Sequence, residues 1–117
     1  MSHTARFTIS IPAAGLLSPA LSTMMSKGAL RSTLGNTESI ELFGPPALTG
    51  VVTVQVCPRY GGTVWRNLQV NGADVTVPAG KALTITFHTF EDLRFSSTLA
   101  EAAQRDIDIE FQITMGS

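Results

Sequence analysis

A second cysteine is missing from this sequence: Cys57 stands alone, so no intrachain disulfide can form. That argues against a disulfide-stabilised secreted fold and excludes a Cys-rich zinc site. Cys57 ends an apolar alternation just before Pro58 and reads as a small buried strand-end residue, not a nucleophile. Charge is also scarce. Lys, Arg, Asp and Glu make up 15% of the chain, and the net charge is −1. No basic run appears, so neither nucleic acid nor an anionic membrane is an expected partner. Aromatics are only 7% and do not interleave with Arg as a base-stacking surface requires. No apolar run has the length of a membrane span, and the opening MSHTARFTIS lacks a signal-peptide apolar stretch. The expectation is a protein made and folded in the cytoplasm.

What the sequence does have is alternation. In 48–95, Val52, Val54 and Val56 share one face of an extended segment, with Thr53 and Gln55 on the other. Leu83, Ile85 and Phe87 repeat the pattern against Thr84 and Thr86. Side chains alternate across a strand, so each such strand has one apolar face to bury. Two sheets packed with those faces inward satisfy all of them. With 117 residues, 44% of them apolar, the chain suits one domain over 1–117.

In chain order, Phe7, Ile9 and Ile11 define a first strand over 5–11, stopped by Pro12. Residues 12–28 lose the period of two. Ser18 as N-cap with Pro19 after it fits a short helix over 20–25. The same stretch also reads as an extended interface arm, or as a cover for one end of the core. Leu30–Leu34 reads as a weak strand, 38–43 as a strand ended by Gly44-Pro45-Pro46, and 48–57 as the longest strand. Pro58–Gly62 and Asn71-Gly72 are turn signals. Further strands are expected over 63–68, 74–77, 81–90, 93–97 and 106–115, with 98–104 a loop or one helical turn. On 63–68, Trp65 falls on the face opposite Val64 and Leu68, which favours an interface or turn-packing role over that of a core anchor. The connections are too short for parallel crossovers. The expected fold is therefore an all-β antiparallel β-sandwich of about eight strands, jelly-roll-like, with an immunoglobulin-like sandwich as the alternative.

Catalytic chemistry finds little purchase. His88 lies mid-strand; Ser96, Ser97, Asp92 and Asp74 are present, but no nucleophile-elbow signature surrounds them, and a partly exposed strand histidine is the expectation. Asp106 and Asp108 share an outer strand face and read as a solvated acidic edge, not a cation site. Arg94 and Arg105, near Glu91, Asp92 and Glu101, read as ion pairs tying loops. No enzyme activity, metal or cofactor is expected.

The run Val52-Thr-Val-Gln-Val-Cys-Pro-Arg-Tyr-Gly-Gly-Thr-Val-Trp65 resembles a pattern of small tailed-phage virion proteins. There a strand of the form TVQVSPDGGTTW leads into a short second strand. Val77-Pro-Ala-Gly-Lys-Ala82, Phe90-Glu-Asp-Leu-Arg94, Ser97-Thr-Leu-Ala-Glu-Ala-Ala-Gln-Arg105 and the closing strand are similar to the rest of that pattern, which covers roughly the last 70 residues. Arg59-Tyr60 stand where the pattern has an acidic turn residue, so no cation-binding role carries over to that turn. The resemblance implies a virion protein of the capsid cement or decoration type, often a jelly roll, that binds the major capsid protein and stabilises the shell. Its contacts are expected at Leu16, Leu17, Leu21, Met24 and Met25 of the 12–25 stretch and at Tyr60 and Trp65 of the following hairpin. The apolar arm further implies a homo-oligomer, a dimer or trimer. The alternative function is a carbohydrate- or receptor-binding module of a tail fibre or attachment protein, with Trp65, Tyr60 and Asn71 as ligand contacts.

Overall fold

The computed structural model describes residues 2–86 and 90–114. Among these described residues the strands are β1 (Ser2–Ile11), β2 (Thr37–Phe43), β3 (Val52–Cys57), β4 (Arg66–Asn67), β5 (Gln69–Val70), β6 (Ala73–Asp74), β7 (Ala82–Ile85), β8 (Asp92–Ser97) and β9 (Arg105–Thr114). One helix, α1 (Lys27–Gly35), and a 3-10 turn over Leu21–Thr23 interrupt them. A four-stranded antiparallel sheet has the order β1-β9-β2-β7 and a smaller one the order β4-β3-β8. Beside β4, residues 75–77 also pair with β3: Val54 N–H donates to Val75 O, and Val77 N–H to Val52 O. The β5–β6 hairpin projects from that edge, with Asn71 and Gly72 at positive φ in its tip.

The alternation predicted from sequence sets the layers. Ile9 and Ile11 of β1, Ile40 and Leu42 of β2, and Ile107, Ile109 and Phe111 of β9 face Val52 and Val54 of β3 and Leu93 and Phe95 of β8; all are buried. On the outer side of the large sheet the matching polar residues pair directly across β1 and β9. Arg6 bonds Glu110, Thr8 bonds Asp108 and Ser10 bonds Asp106. Those bonds hold the Asp106 and Glu110 carboxyls below the usual carboxylate range. The acidic strand face is thus satisfied by the neighbouring strand.

The connectivity is that of a long hairpin rolled on itself. β1 pairs with β9, the segment Leu16–Ser18 with β8, β2 with β7, and β3 with β4. Each step inward from the ends pairs the next two elements, and successive pairs alternate between the sheets. That nested order makes the all-β antiparallel sandwich a jelly roll rather than an immunoglobulin-like one.

Several boundaries differ from the sequence reading. Leu30–Leu34 is not a strand: it lies within α1. Ser26 Oγ accepts from Ala29 N at 3.2 Å as N-cap, and Leu30 and Leu34, one turn apart, are both buried. The helix expected over 20–25 shrinks to the 3-10 turn, entered through Ala20 without a side-chain cap. The strand expected over 63–68 is confined to Arg66–Asn67, and of that expected over 81–90 the described residues show Ala82–Ile85. Phe87, His88 and Thr89 lie outside the described residues, as do residues 115–117. Cys57 is buried as expected, beneath the turn at Gly62, where a Cβ would lie 2.6 Å from its Sγ.

Candidate protein-docking surface

Residues 12–28 do not stand away as an arm. They form a short edge of the smaller sheet and then plug one end of the core. Ser18, itself buried, donates its N–H to Phe95 O at 3.0 Å, and its Oγ accepts from Phe95 N at 2.8 Å. Ser97 N–H donates to Leu16 O at 2.7 Å. With the backbone pinned this way, Leu16 and Leu17 keep 50% and 45% of their surface exposed. Leu21, one of the expected contact residues, is fully buried and so cannot meet a partner. It needed cover, and the 3-10 turn carries it into the core.

Beside Leu16, two loops are tied together by Glu101, a carboxylate only 1% exposed. Its Oε1 accepts from Thr49 N (2.8 Å) and Arg105 Nε (2.9 Å); its Oε2 accepts from Gly50 N (3.0 Å) and the Ser97 hydroxyl (2.7 Å). Burial pushes this carboxyl up, but the Thr49 and Gly50 amides, the Ser97 hydroxyl and the Arg105 guanidinium outweigh it and hold it down to about 2. Position 50 must be glycine for the loops to meet: a Cβ there would lie 2.6 Å from Ser97 Oγ and 2.7 Å from Leu99 N. Glu101 also exchanges backbone hydrogen bonds with Ala14 and Gly15.

The three segments held this way carry Leu16, Val51 and Leu99, all exposed apolar residues. Consecutive amides, Ser97 and Thr98, donate to the carbonyls of Leu16 and Val51, and Leu99 follows directly; Val51 and Leu99 are each 56% exposed. Three exposed apolar residues therefore stand on segments that Glu101 and backbone hydrogen bonds tie to one another.

The remaining expected contact residues are elsewhere. Tyr60 is half-buried, and its hydroxyl bridges the carbonyls of Ser22 (2.9 Å) and Met25. Asp92, fully buried, accepts from Ser22 N and Leu93 N on Oδ1 and from Gly61 N on Oδ2. Together they lock the 3-10 turn and Met25, which packs on the core, whereas the Met24 side chain stays exposed. Tyr60→Phe is expected to cost about 1–2 kcal/mol by leaving those carbonyls short of a donor, read as a lower denaturation midpoint with an unchanged denaturant slope. Trp65 lies on the outer face of the smaller sheet, with the Arg94 guanidinium 4.3 Å from its ring centroid. Arg94 thus serves Trp65 and Gln55 instead of an acidic loop, whereas Arg105 does pair with Glu101, and Glu91 pairs with Arg31.

Of the residues weighed for catalysis, His88 lies outside the described residues, and Ser97, Asp92 and Asp74 are engaged in separate places. Ser97 serves Glu101, Asp92 serves backbone amides, and Asp74 serves Asn67 and Gln69. Among the described residues no group of three or more His, Cys, Asp and Glu is placed to hold a metal ion. The chain matches no protein-family model, no curated protein and no solved structure.

Proposed function

We propose that this protein is a structural component of a tailed-phage virion, a cement or decoration protein that binds the major capsid protein and stabilises the shell. The observation that carries this reading is the patch of Leu16, Val51 and Leu99, exposed on loops that a buried carboxylate holds in one geometry. Apolar side chains fixed in the open offer binding area with little ordering cost, which suits docking to a repeated protein surface. The resemblance of 52–105 to virion proteins supports the same reading. Weak individual contacts become effective when many copies engage a symmetric lattice.

A second surface supports self-association. β1 is a ten-residue edge strand, it contains no proline, and its pairing with β9 runs without a bulge. An unprotected edge of this length is a template for another strand. In this reading a second copy covers it, so light scattering of the isolated protein at micromolar concentration is expected to give a dimer or trimer; a clean monomer contradicts this part.

Docking is tested by sedimenting the protein with purified particles that lack it. Point variants are needed, since removing residues 12–25 would also strip Ser18 and Leu21 from the folded body. Wild type is expected in the pellet at a fixed number of copies per particle. Wild type left in the supernatant overturns the reading.

A further inference from the structure

The outer face of the smaller sheet carries an ordered row of polar side chains ending at Trp65. Arg94 Nε donates to Gln55 Oε1 at 2.8 Å, Gln55 Nε2 to Asn67 Oδ1 at 3.2 Å, and Asn67 Nδ2 to Asp74 Oδ2 at 3.2 Å; Gln69 Nε2 closes the row on Asp74 Oδ1 at 2.9 Å. Arginine can only donate and an ionised aspartate can only accept. The two ends therefore fix which way both amides point, and every bond from Arg94 to Asp74 runs in the same sense, each polarising the next. Arg94, Gln55 and Asn67 stand on three adjacent strands, β8, β3 and β4. Their side chains are thus set across about 10 Å, two strand spacings.

Trp65 is half-buried but is not among the residues packed on the core, so its ring is fixed by the surface and not by the interior. Beyond Nε, the guanidinium N–H groups of Arg94 meet no acceptor among the described residues. Next to this row runs another, of hydroxyls: Ser96, Thr53 and Thr76 lie opposite one another across the same sheet. Hydrogen bonds between exposed side chains contribute little to stability. Their order here is better understood as preorganisation for a ligand.

We propose that this face is a saccharide-binding platform, with the face of Trp65 that Arg94 does not cover as the surface on which a pyranose stacks and Arg94, Gln55, Asn67 and Asp74 as the groups that bond its hydroxyls. Sugar hydroxyls both donate and accept, which fits a row that alternates free donors with carbonyl and carboxylate oxygens. The charges of Arg94 and Asp74 cancel, so the expected ligand is a neutral oligosaccharide and not a polyanion. The strand spacing is close to the length of one sugar unit in an extended glycan, so the row spans about two units. This site goes beyond capsid docking and shares no residue with the Leu16, Val51 and Leu99 patch.

Trp65 is the one tryptophan of the chain, so intrinsic fluorescence reports on this site alone. An array of neutral hexose and N-acetylhexosamine oligosaccharides, followed by fluorescence titration of the strongest binder, tests the proposal. A saturable change in emission is expected. Gln55→Ala and Asn67→Ala, which keep the tryptophan, should each weaken binding by about tenfold, the loss of one or two hydrogen bonds, and leave particle binding unchanged. The doubly substituted Leu16→Asp, Leu99→Asp protein should bind the sugar as wild type does. The proposal is overturned if no neutral oligosaccharide alters the emission, if only charged glycans do, or if both amide variants bind as tightly as wild type.

Discussion

Glu101→Ala is expected to destabilise the isolated protein by about 3–5 kcal/mol, the range for removing one partner from a buried hydrogen-bonded charge pair. The carboxylate satisfies two backbone amides, a hydroxyl and the Arg105 guanidinium at once. Glu101→Gln separates charge from shape. The amide fills the same space, but one end of it can no longer accept, so a smaller loss is expected. The effect depends on pH in a definite sense. The folded-state carboxyl is held below its unfolded value, near 2 instead of about 4.5. Its contribution is therefore fully present above about pH 4.5 and is lost as the pH falls toward about 2. Chemical denaturation of wild type and Glu101→Gln across that window should show the two proteins converging as acid is added. A gap that stays constant with pH would mean that Glu101 is not ionised in the native state.

Leu16→Asp combined with Leu99→Asp is expected to abolish particle binding while leaving the melting temperature within a few degrees of wild type. Both side chains are half or more exposed, so neither contributes much to the core, and surface substitutions of this kind usually change stability by less than about 0.5 kcal/mol. In the docked state the same two carboxylates would be buried without partners, a penalty large enough to cancel the contact. Cosedimentation read alongside thermal melts distinguishes lost docking from lost folding. A variant that still pellets with particles shows that the contact lies elsewhere.

Period-two alternation carried most of the fold. β1, β2, β3, β8 and β9 were all legible because each alternates cleanly against polar neighbours, and Ile109 and Phe95 lie inside as their spacing requires. What misled was the short span from Gly28 to Leu34. Leu30 and Leu34 fit either period, and Thr33 favours a strand. Only Ser26 as N-cap, with its partner three residues on, identifies α1. Leu21 was misplaced for a different reason. A stretch with no period gives no sign of which leucines point inward, and tertiary contact alone decides it.

The candidate sites were less legible. Trp65 precedes β4 and Val64 is itself exposed, so the alternation expected over 63–68 does not set its direction, and its partner Arg94 lies on another strand. Glu101 meets Thr49 and Gly50 across some fifty residues of chain, with |i−j| of 52 and 51. A lone glutamate in the alanine-rich stretch 98–104 carries no local sign of burial. Gly50 is the sequence signal that bears on it, since a glycine before an apolar strand often marks a close backbone approach.

Hydrogen–deuterium exchange of the protein alone and bound to particles tests the account most directly. Protection on binding is predicted for the amides of 14–18, 49–51 and 98–101, the three segments that Glu101 gathers around the apolar patch. Protection confined to the Trp65 face or to the turn at Tyr60, with those three segments exchanging as in the free protein, would contradict it.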